Sequence, residues 1–158
     1  MIYIITVFLI TIFDQATKML ILYNFKMHQS VSFIGKILSF TYETNTGGAF
    51  SIFKNFSIIF IILSSILIII SFIILPKLIK LPSYLQFSTG LIMGGTIGNF
   101  IDRVRFGHVI DFIDFKIWPV FNIADIAICI GVFTLMFYLI FKDNKINELE
   151  IVDGQKII

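Results

Sequence analysis

The chain has 158 residues, of which 58% are hydrophobic and 14% charged, and it carries a net charge of +2. Its mean hydropathy is +0.98, whereas ordinary soluble domains contain about 25% charged residues. This composition excludes a typical soluble enzyme and a disordered regulator, and the balanced charge excludes a nucleic-acid-binding protein. We therefore expect an integral membrane protein.

Four apolar segments predict four transmembrane helices, since each can cross ~30 Å of hydrocarbon. These spans cover about residues 1–23, 56–75, 83–101 and 121–141, and the second is expected to end at Pro76. The first segment has neither a basic start nor a small-residue cleavage site, which argues against a signal peptide. The sequence thus predicts one membrane-embedded domain over residues 1–158, with a hydrophilic tail at 142–158.

The charges divide between the two ends of these spans. Lys77, Lys80 and Lys142 lie close to span ends and favour cytoplasmic termini and a cytoplasmic tail. The acidic residues outside the tail all fall at the opposite face of the membrane. They are Asp14, Glu43, Asp102, Asp111, Asp114 and Asp125. Ionisable groups at membrane depth are costly and mark a functional site by default, so we expect the polar chemistry at this one face.

The long loop from about residue 25 to 53 is predicted to be a small β-rich element on the outer surface. Phe40 and Tyr42 show the alternation of a strand, and Asn45-Thr46-Gly47-Gly48 is a breaker run. We expect a short hairpin or curled sheet, acting either as a plain connection or as a cradle for the substrate. The single cysteine, Cys129, excludes an internal disulfide and is interpreted as a packing residue.

Two spacings on the predicted helices suggest helix contacts. Asp14 and Lys18 are four residues apart on one face, which fits either a neutralising ion pair or direct contact with substrate. Gly90, Gly94 and Gly98 recur every four residues and predict close helix approach.

Polar residues also gather near the ends of the third and fourth spans. Asn99, Asp102 and Arg103 have the helical spacing for one hydrogen-bonded cluster. Asn122 and Asp125 fit a helix cap and a dipole partner.

A cap does not explain Asp111, which stands among apolar residues. If a short re-entrant loop brings Asp111 and Asp125 together, the two carboxylates would share one proton and could act as acid and base on a water. Their separation of 14 residues is a weak signal alone.

Five ordered blocks together resemble bacterial lipoprotein signal peptidase, also called signal peptidase II. They are FDQATK at 13–18, NTGGAFS at 45–51, GGTIGNFIDR at 94–103, VIDF at 109–112 and FNIAD at 121–125. The resemblance implies an all-α integral membrane protein of four transmembrane helices with a small extracytoplasmic β-rich cradle. It further implies an aspartic endopeptidase that cleaves diacylglyceryl-modified prolipoproteins on the amino side of the lipidated cysteine.

The same resemblance assigns the site. Asp111 and Asp125 would be the catalytic pair, and Asp114 lies outside the motif. Asn45, Asn99, Arg103 and Asn122, with Gly47 of the NTGG block, would line the site. Asp14, Lys18 and Asp102 would support it. Two departures from the family pattern are Gly48, where alanine is common, and a short stretch between the two aspartates, which puts the substrate range in doubt.

The resemblance implies no metal and no organic cofactor, prolipoproteins and membrane lipids as partners, no nucleic acid, and a monomer. It places the chain in the bacterial cytoplasmic (inner) membrane, with the active site at the extracytoplasmic face and cytoplasmic termini. Two alternatives are a small transporter or assembly subunit, with the polar cluster as an ion path, and a metal-dependent lipid head-group transferase. Transporters place ionisable groups near the midplane, and the transferase would need clustered carboxylates suited to Mg²⁺.

Overall fold

The computed structural model describes residues 1–46 and 57–154, with only the backbone of α4 after residue 141. This part of the chain contains four helices and three strands. The helices are α1 (Ile2–Asn24), α2 (Ser57–Leu78), α3 (Ser83–Phe106) and α4 (Ile123–Gly154), and the strands are β1 (Ser30–Ile34), β2 (Leu38–Asn45) and β3 (Val109–Asp114). The β-rich element predicted between the first two spans is confirmed, and its third strand comes from beyond α3.

Three helices in the described ranges are long and apolar enough to cross a membrane: Ile2–Asn24, Ser57–Leu78 and the Ile123–Phe141 part of α4. The predicted third span, 83–101, falls within α3, which is long enough but is not among them. α3 packs against α1, α2 and α4. Because protein covers it on several sides, its glycine, serine and threonine residues need not face lipid.

The glycines of α3 set how closely its neighbours approach, as the spacing predicts. A Cβ added at Gly90 would lie 2.8 Å from Thr6 Cβ, and one at Gly94 would lie 2.8 Å from Ile10 Cβ. A side chain at Gly98 would overlap the Asp14 carboxylate. These glycines therefore let α1 lie directly on α3 and let Asp14 reach across the contact.

The expectation that the second helix ends at Pro76 is wrong, because α2 continues to Leu78 with Pro76 inside it. A proline removes only its own N–H bond, and one so close to the end of the helix disrupts little backbone. The first residue of each of the four helices lies within two residues of the start of the corresponding predicted span.

The strands described form one antiparallel sheet in the order β1-β2-β3. β1 and β2 are joined by residues 35–37, and Ile37 N donates to Ile34 O at 2.9 Å across this turn. Gly35 has φ of +50°, as the first central residue of a type II′ hairpin turn requires. The prediction of a re-entrant loop around Asp111 is wrong, since the apolar run pairs with β2 as a strand instead.

The sheet lies over one end of the helices. Ile21 at the end of α1 packs with Ile110 and Phe112 of β3. At the other end, Gln86 accepts from the Tyr3 N–H (3.3 Å) and donates to the carbonyl of Leu81 (2.8 Å) in the α2–α3 turn. The start of α1 and the α2–α3 turn thus share one end, opposite to the sheet.

Candidate active site

The first turn of α4 holds Asp125 through a reciprocal cap. Asn122 Oδ1 accepts from the Asp125 N–H at 2.9 Å, and Asp125 Oδ2 accepts from the Asn122 N–H at 3.3 Å. This is the capping-box arrangement, which satisfies N–H groups that a helix start otherwise leaves without partners. The predicted cap is confirmed, and it fixes the Asp125 carboxylate where the helix begins.

Strand β3 brings Asp111 to the same place. Its Oδ1 accepts from Asn122 Nδ2 at 2.6 Å, and its Oδ2 accepts from Asn45 Nδ2 at 2.9 Å. Asn45 belongs to β2, which pairs with β3 at this level. Asn122 therefore links the two carboxylates, since its side chain donates to Asp111 and caps the helix at Asp125.

Lys18 determines how the Asn99 amide is turned. Asn99 Oδ1 accepts from Lys18 Nζ at 3.0 Å, and an ammonium group can only donate. The Asn99 Nδ2 must then point the other way, where it donates to Asp125 Oδ1 at 2.8 Å. Similarly, the Asp125 N–H requires the oxygen of Asn122 to face it, so the Asn122 Nδ2 faces Asp111. The orientations of both amides are therefore fixed, because each amide oxygen faces a neighbouring group that can only donate a hydrogen bond.

Lys18 is also the centre of a buried ion cluster. Among the described residues, its Nζ lies 2.9 Å from Asp14 Oδ2, 2.8 Å from Asp102 Oδ2 and 3.0 Å from Asn99 Oδ1. Asp14 and Asp102 have no exposed surface, and Lys18 is 1% exposed. A buried charge needs such pairing to offset its loss of water. The predicted Asp14–Lys18 ion pair is confirmed, with Asp102 as a second anion.

Each supporting carboxylate also accepts a hydrogen bond from backbone next to the site. Asp14 Oδ1 accepts from the Ala124 N–H at 2.9 Å, one residue before the carboxylate of α4. Asp102 Oδ2 accepts from the Ile110 N–H at 3.2 Å, one residue before Asp111. The ion cluster therefore ties together the two chain segments that carry the facing aspartates.

The predicted cluster of Asn99, Asp102 and Arg103 is divided in the structure. The side chains of Asn99 and Asp102 both turn towards Lys18, while Arg103 Nη1 makes a long 3.4 Å bond to the Asn99 carbonyl. Arg103 is 8% exposed, lies 4.7 Å from the Phe60 ring, and leaves its buried Nε without a hydrogen bond. Helical spacing places these residues correctly but does not say which neighbouring helix each will contact.

A cavity of about 570 Å³ opens beside this arrangement. Asp125 lines the cavity, whereas Asp111 is 2% exposed and is not among the lining residues. The polar wall includes Asn45, Asn99 and Arg103, and apolar walls include Trp118 and Phe133. The space could hold an apolar chain with a few polar groups directed at one carboxylate.

The pKa values of the two aspartates of β3 are shifted in opposite directions. Burial, together with the nearby charge of Asp125, raises the pKa of Asp111 to about 7. For Asp114, burial acts in the raising direction, but hydrogen bonds from Lys116 and Thr41 outweigh it and lower the pKa. Asp111 can therefore carry a proton near neutral pH, which an ordinary aspartate cannot.

Comparisons with known proteins agree with this geometry. The family model described as "Signal peptidase (SPase) II" matches residues 6–141. The lipoprotein signal peptidase of Halothermothrix orenii is 40% identical over 149 residues, covering 94% of this chain and all of that protein. That of Moorella thermoacetica is 40% identical over 135 residues, covering 84% of this chain and 88% of that protein.

The chain belongs to the signal peptidase II family.

Two solved structures, each described as a bacterial membrane enzyme, are also similar. One has a TM-score of 0.84 and 33% identity, covering 90% of each chain. The other has a TM-score of 0.77 and 35% identity, covering 87% of this chain and 91% of the other. Membership of the signal peptidase II family resolves the alternatives of a transporter, an assembly subunit and a transferase in favour of a peptidase.

The structure brings most of the motif residues of this signal peptidase II chain into one network. Gly47 lies outside the described residues. The others contact one another directly or through Lys18: Asp14, Asn45, Asn99, Asp102, Arg103, Asp111, Asn122 and Asp125. Sequence reasoning missed Gln15, whose Nε2 donates to Asp102 Oδ1 at 2.9 Å. Its place inside the polar FDQATK block was the available signal.

Proposed function

We propose that Asp111 and Asp125 are the catalytic pair with which this chain removes signal peptides from diacylglyceryl-modified prolipoproteins. The bond cleaved is the one on the amino side of the lipidated cysteine. The observation that carries this proposal is the Asn122 side chain, which donates to Asp111 and caps the helix at Asp125. Membership of the family supplies the reaction, and the paired carboxylates supply an acid and a base for it.

We assign the ionised role to Asp125 and the protonated role to Asp111. Asp125 lines the cavity, stands at the start of α4, and accepts from Asn99, which Lys18 orients. The positive end of the helix dipole favours an anion at this position. Asp111 is more deeply buried, and burial in low dielectric favours the neutral form of a carboxyl group.

The proposed hydrolysis then proceeds by proton exchange within the pair. Asp125 takes a proton from water as the water oxygen bonds to the scissile carbonyl carbon, and Asp111 donates its proton to the carbonyl oxygen. The tetrahedral intermediate breaks its C–N bond while Asp125 returns its proton to the leaving nitrogen. Asp111 recovers a proton from the intermediate's hydroxyl group, which restores the starting state. No step requires a metal ion or an organic cofactor.

We also propose that α3 is the fourth membrane span of a single domain covering residues 1–158, and that the chain acts as a monomer in the bacterial cytoplasmic membrane. Lys77 and Lys80, at the end opposite to the sheet, support cytoplasmic termini and an extracytoplasmic site. With Cys129→Ser as background, Lys36→Cys should react with an impermeant thiol reagent in whole cells, and Lys80→Cys should not. The reverse pattern contradicts this orientation.

The catalytic proposal is tested with purified protein and a lipidated prolipoprotein, in the presence and absence of chelator. Asp111→Asn and Asp125→Asn should each lose about 10³-fold or more in rate, because neither amide can exchange the required proton. Cleavage should be insensitive to chelator. Asp114→Asn, on the same strand, is the matched control and should stay active. Inactive Asp114→Asn with active Asp111→Asn, both folded, overturns the assignment.

A further inference from the structure

The ion cluster around Lys18 has one cation for two buried carboxylates, and that cation cannot serve every oxygen. An ammonium group has three hydrogens, and all three are used, by Asp14, Asp102 and Asn99. On Asp102 the ammonium lies 2.8 Å from Oδ2, which also accepts from the Ile110 N–H. A buried acceptor without a donor destabilises the folded state. Asp102 Oδ1 therefore requires a donor other than Lys18.

Gln15 supplies this donor. Its Nε2 lies 2.9 Å from Asp102 Oδ1, and it is the only donor that the described residues bring to this oxygen. The same nitrogen lies 3.1 Å from the Gly98 carbonyl and 3.3 Å from Asp14 Oδ2. Ionised carboxylates and backbone carbonyls can only accept, so the nitrogen of the Gln15 amide must face them. The amide thus adds hydrogen bonds to the two anions without adding charge.

Gln15 can affect cleavage only through the residues that it contacts. It is half-buried at the contact of α1 with α3 and is not among the residues that line the cavity. Its path to the proposed catalytic pair is short, because Asp102 accepts from Gln15 on one oxygen and from the Ile110 N–H on the other. Ile110 directly precedes Asp111 in β3.

We propose that Gln15 is a positioning residue for the proposed catalytic pair. Its amide fixes the orientation of the Asp102 carboxylate, which in turn holds the Ile110 N–H and with it the position of Asp111. Rotation of an aspartate side chain about the bond to its carboxyl carbon is soft. A carboxylate released at Oδ1 therefore turns, and its Oδ2 leaves the Ile110 N–H. The inference rests on the function proposed above for Asp111 and Asp125.

Replacing Gln15 by a residue that cannot donate tests the proposal. Gln15→Met should lower kcat for a lipidated prolipoprotein about tenfold, as expected for the loss of one hydrogen bond to a charged group. KM should stay within about threefold, because Gln15 does not line the cavity. Thr11→Val is the matched control and should keep its kcat within about twofold. Thr11 donates to the Gly94 carbonyl at 3.2 Å across the same two helices, in a bond that does not involve the ion cluster.

Hydrogen exchange separates positioning from a general loss of stability. The Ile110 N–H, followed by NMR in detergent, should exchange about tenfold faster in Gln15→Met than in the unchanged protein. The Phe112 N–H donates to the Phe121 carbonyl at 3.0 Å on the same strand, and its exchange should change by no more than about twofold. Equal acceleration at both amides, or none at Ile110, overturns the proposal.

Gln15→Glu provides a rescue by a residue of the same size. The charged groups around the introduced carboxyl group are Asp14 and Lys18 on α1 and Asp102 on α3. A protonated carboxyl group donates one hydrogen bond, and an ionised one donates none. At pH 5 the kcat of Gln15→Glu should exceed that of Gln15→Met about fivefold, and this advantage should shrink towards pH 9. Equal kcat values at pH 5 contradict the proposal.

The exchange measurement also distinguishes this inference from the proposed function. If the catalytic pair is wrongly assigned, Asp111→Asn stays active while the exchange of the Ile110 N–H still responds to Gln15→Met. If Gln15 has no positioning role, that exchange does not respond although Asp111→Asn is inactive. Should Gln15→Met fail to fold, Gln15→Ala lacks the same donor and replaces it in each measurement.

Discussion

Strand β3 carries two aspartates three residues apart, and the two ends of the strand give them opposite properties. Asp111 and Asp114 have little exposed surface, 2% and 7%, but Asp111 lies much deeper in the protein. Asp111 accepts from neutral amides beside a second carboxylate, and its pKa rises to about 7. Asp114 accepts from the Lys116 ammonium at 2.6 Å and from Thr41, and its pKa falls. The depth of burial and the charge of the hydrogen-bond partners therefore together decide whether a carboxylate of this strand can hold a proton near neutral pH.

A lysine of α1 lies near the buried end of the sheet, but its ion-pair partners are not the proposed catalytic pair. Lys18 pairs with Asp14 and Asp102 and reaches the pair through the Asn99 amide. Asn99 and Asn122 form a neutral layer between the ion cluster and the facing aspartates. This layer orients the two carboxylates while leaving one of them able to hold a proton.

Replacing Lys18 or Lys116 by methionine should give the largest difference in kcat between variants at the two ends of β3. Lys18→Met should reduce kcat by about 100-fold or more, because it leaves two buried carboxylates unpaired and lets the Asn99 amide turn over. Lys116→Met is the matched control at the outer end and should stay within about threefold of the unchanged protein. The measurement is kcat and KM for a lipidated prolipoprotein between pH 5 and 9.

Lys18→Met should also change the shape of the pH–rate profile, since the orientation of Asn99 affects the charge on Asp125. A purely structural role would lower the amount of folded enzyme without moving the limbs of the profile. Full activity of Lys18→Met would show that the ion cluster is not part of the proposed catalytic arrangement.

The pH dependence of stability should differ between the two ends as well. The pKa of Asp111 is raised from an ordinary value of 3.8 to about 7, so the folded state holds a proton that the unfolded state releases. The stability from this proton is full below about pH 4 and is lost as the pH rises through about 7. Asp111→Asn removes this loss. Its melting temperature should exceed that of the unchanged protein at pH 8, and the difference should shrink towards pH 4.

Thermal unfolding in detergent, followed by Trp118 fluorescence, measures this difference. The activity of the unchanged protein should fall over the same range as Asp111 loses its proton. A melting temperature that is lower for Asp111→Asn at pH 8 would contradict the raised pKa.

Most of the site could be predicted from sequence because its residues lie in compact blocks. Asp14 and Lys18 share a helix face by spacing alone, and Asn122 and Asp125 have the spacing of a helix cap. The long-range partners could not be predicted this way. The bond from the Ala124 N–H to Asp14 joins residues 110 positions apart, and no local pattern specifies it.

The errors in the predicted fold have a similar origin. The run around Asp111 is a strand because β2 provides a pairing edge, which the run's own apolar composition does not reveal. The sequence does contain a signal for the hairpin turn, because Gly35 is followed by the polar Lys36 and the two residues stand between apolar residues. The hydropathy of α3 is low for a span because its neighbours, rather than lipid, cover much of it.

The smallest expected effect is that of Asp114→Asn. The amide keeps the size of the side chain and can still accept from Thr41, but it loses the charged bond to Lys116. At pH 7 this should cost about 1 kcal/mol of stability at most, the upper end of the range for an ion pair with an exposed partner such as Lys116. Because the pKa of Asp114 is lowered, its contribution is present above its ordinary value of 3.8 and is lost as the pH falls through the folded value. The variant should therefore unfold earlier than the unchanged protein at pH 7 and together with it at about pH 3, while its kcat stays within about threefold. A stability deficit that grows on acidification, or a kcat loss comparable to that of Asp111→Asn, would mean that the two ends of β3 are not electrostatically separate.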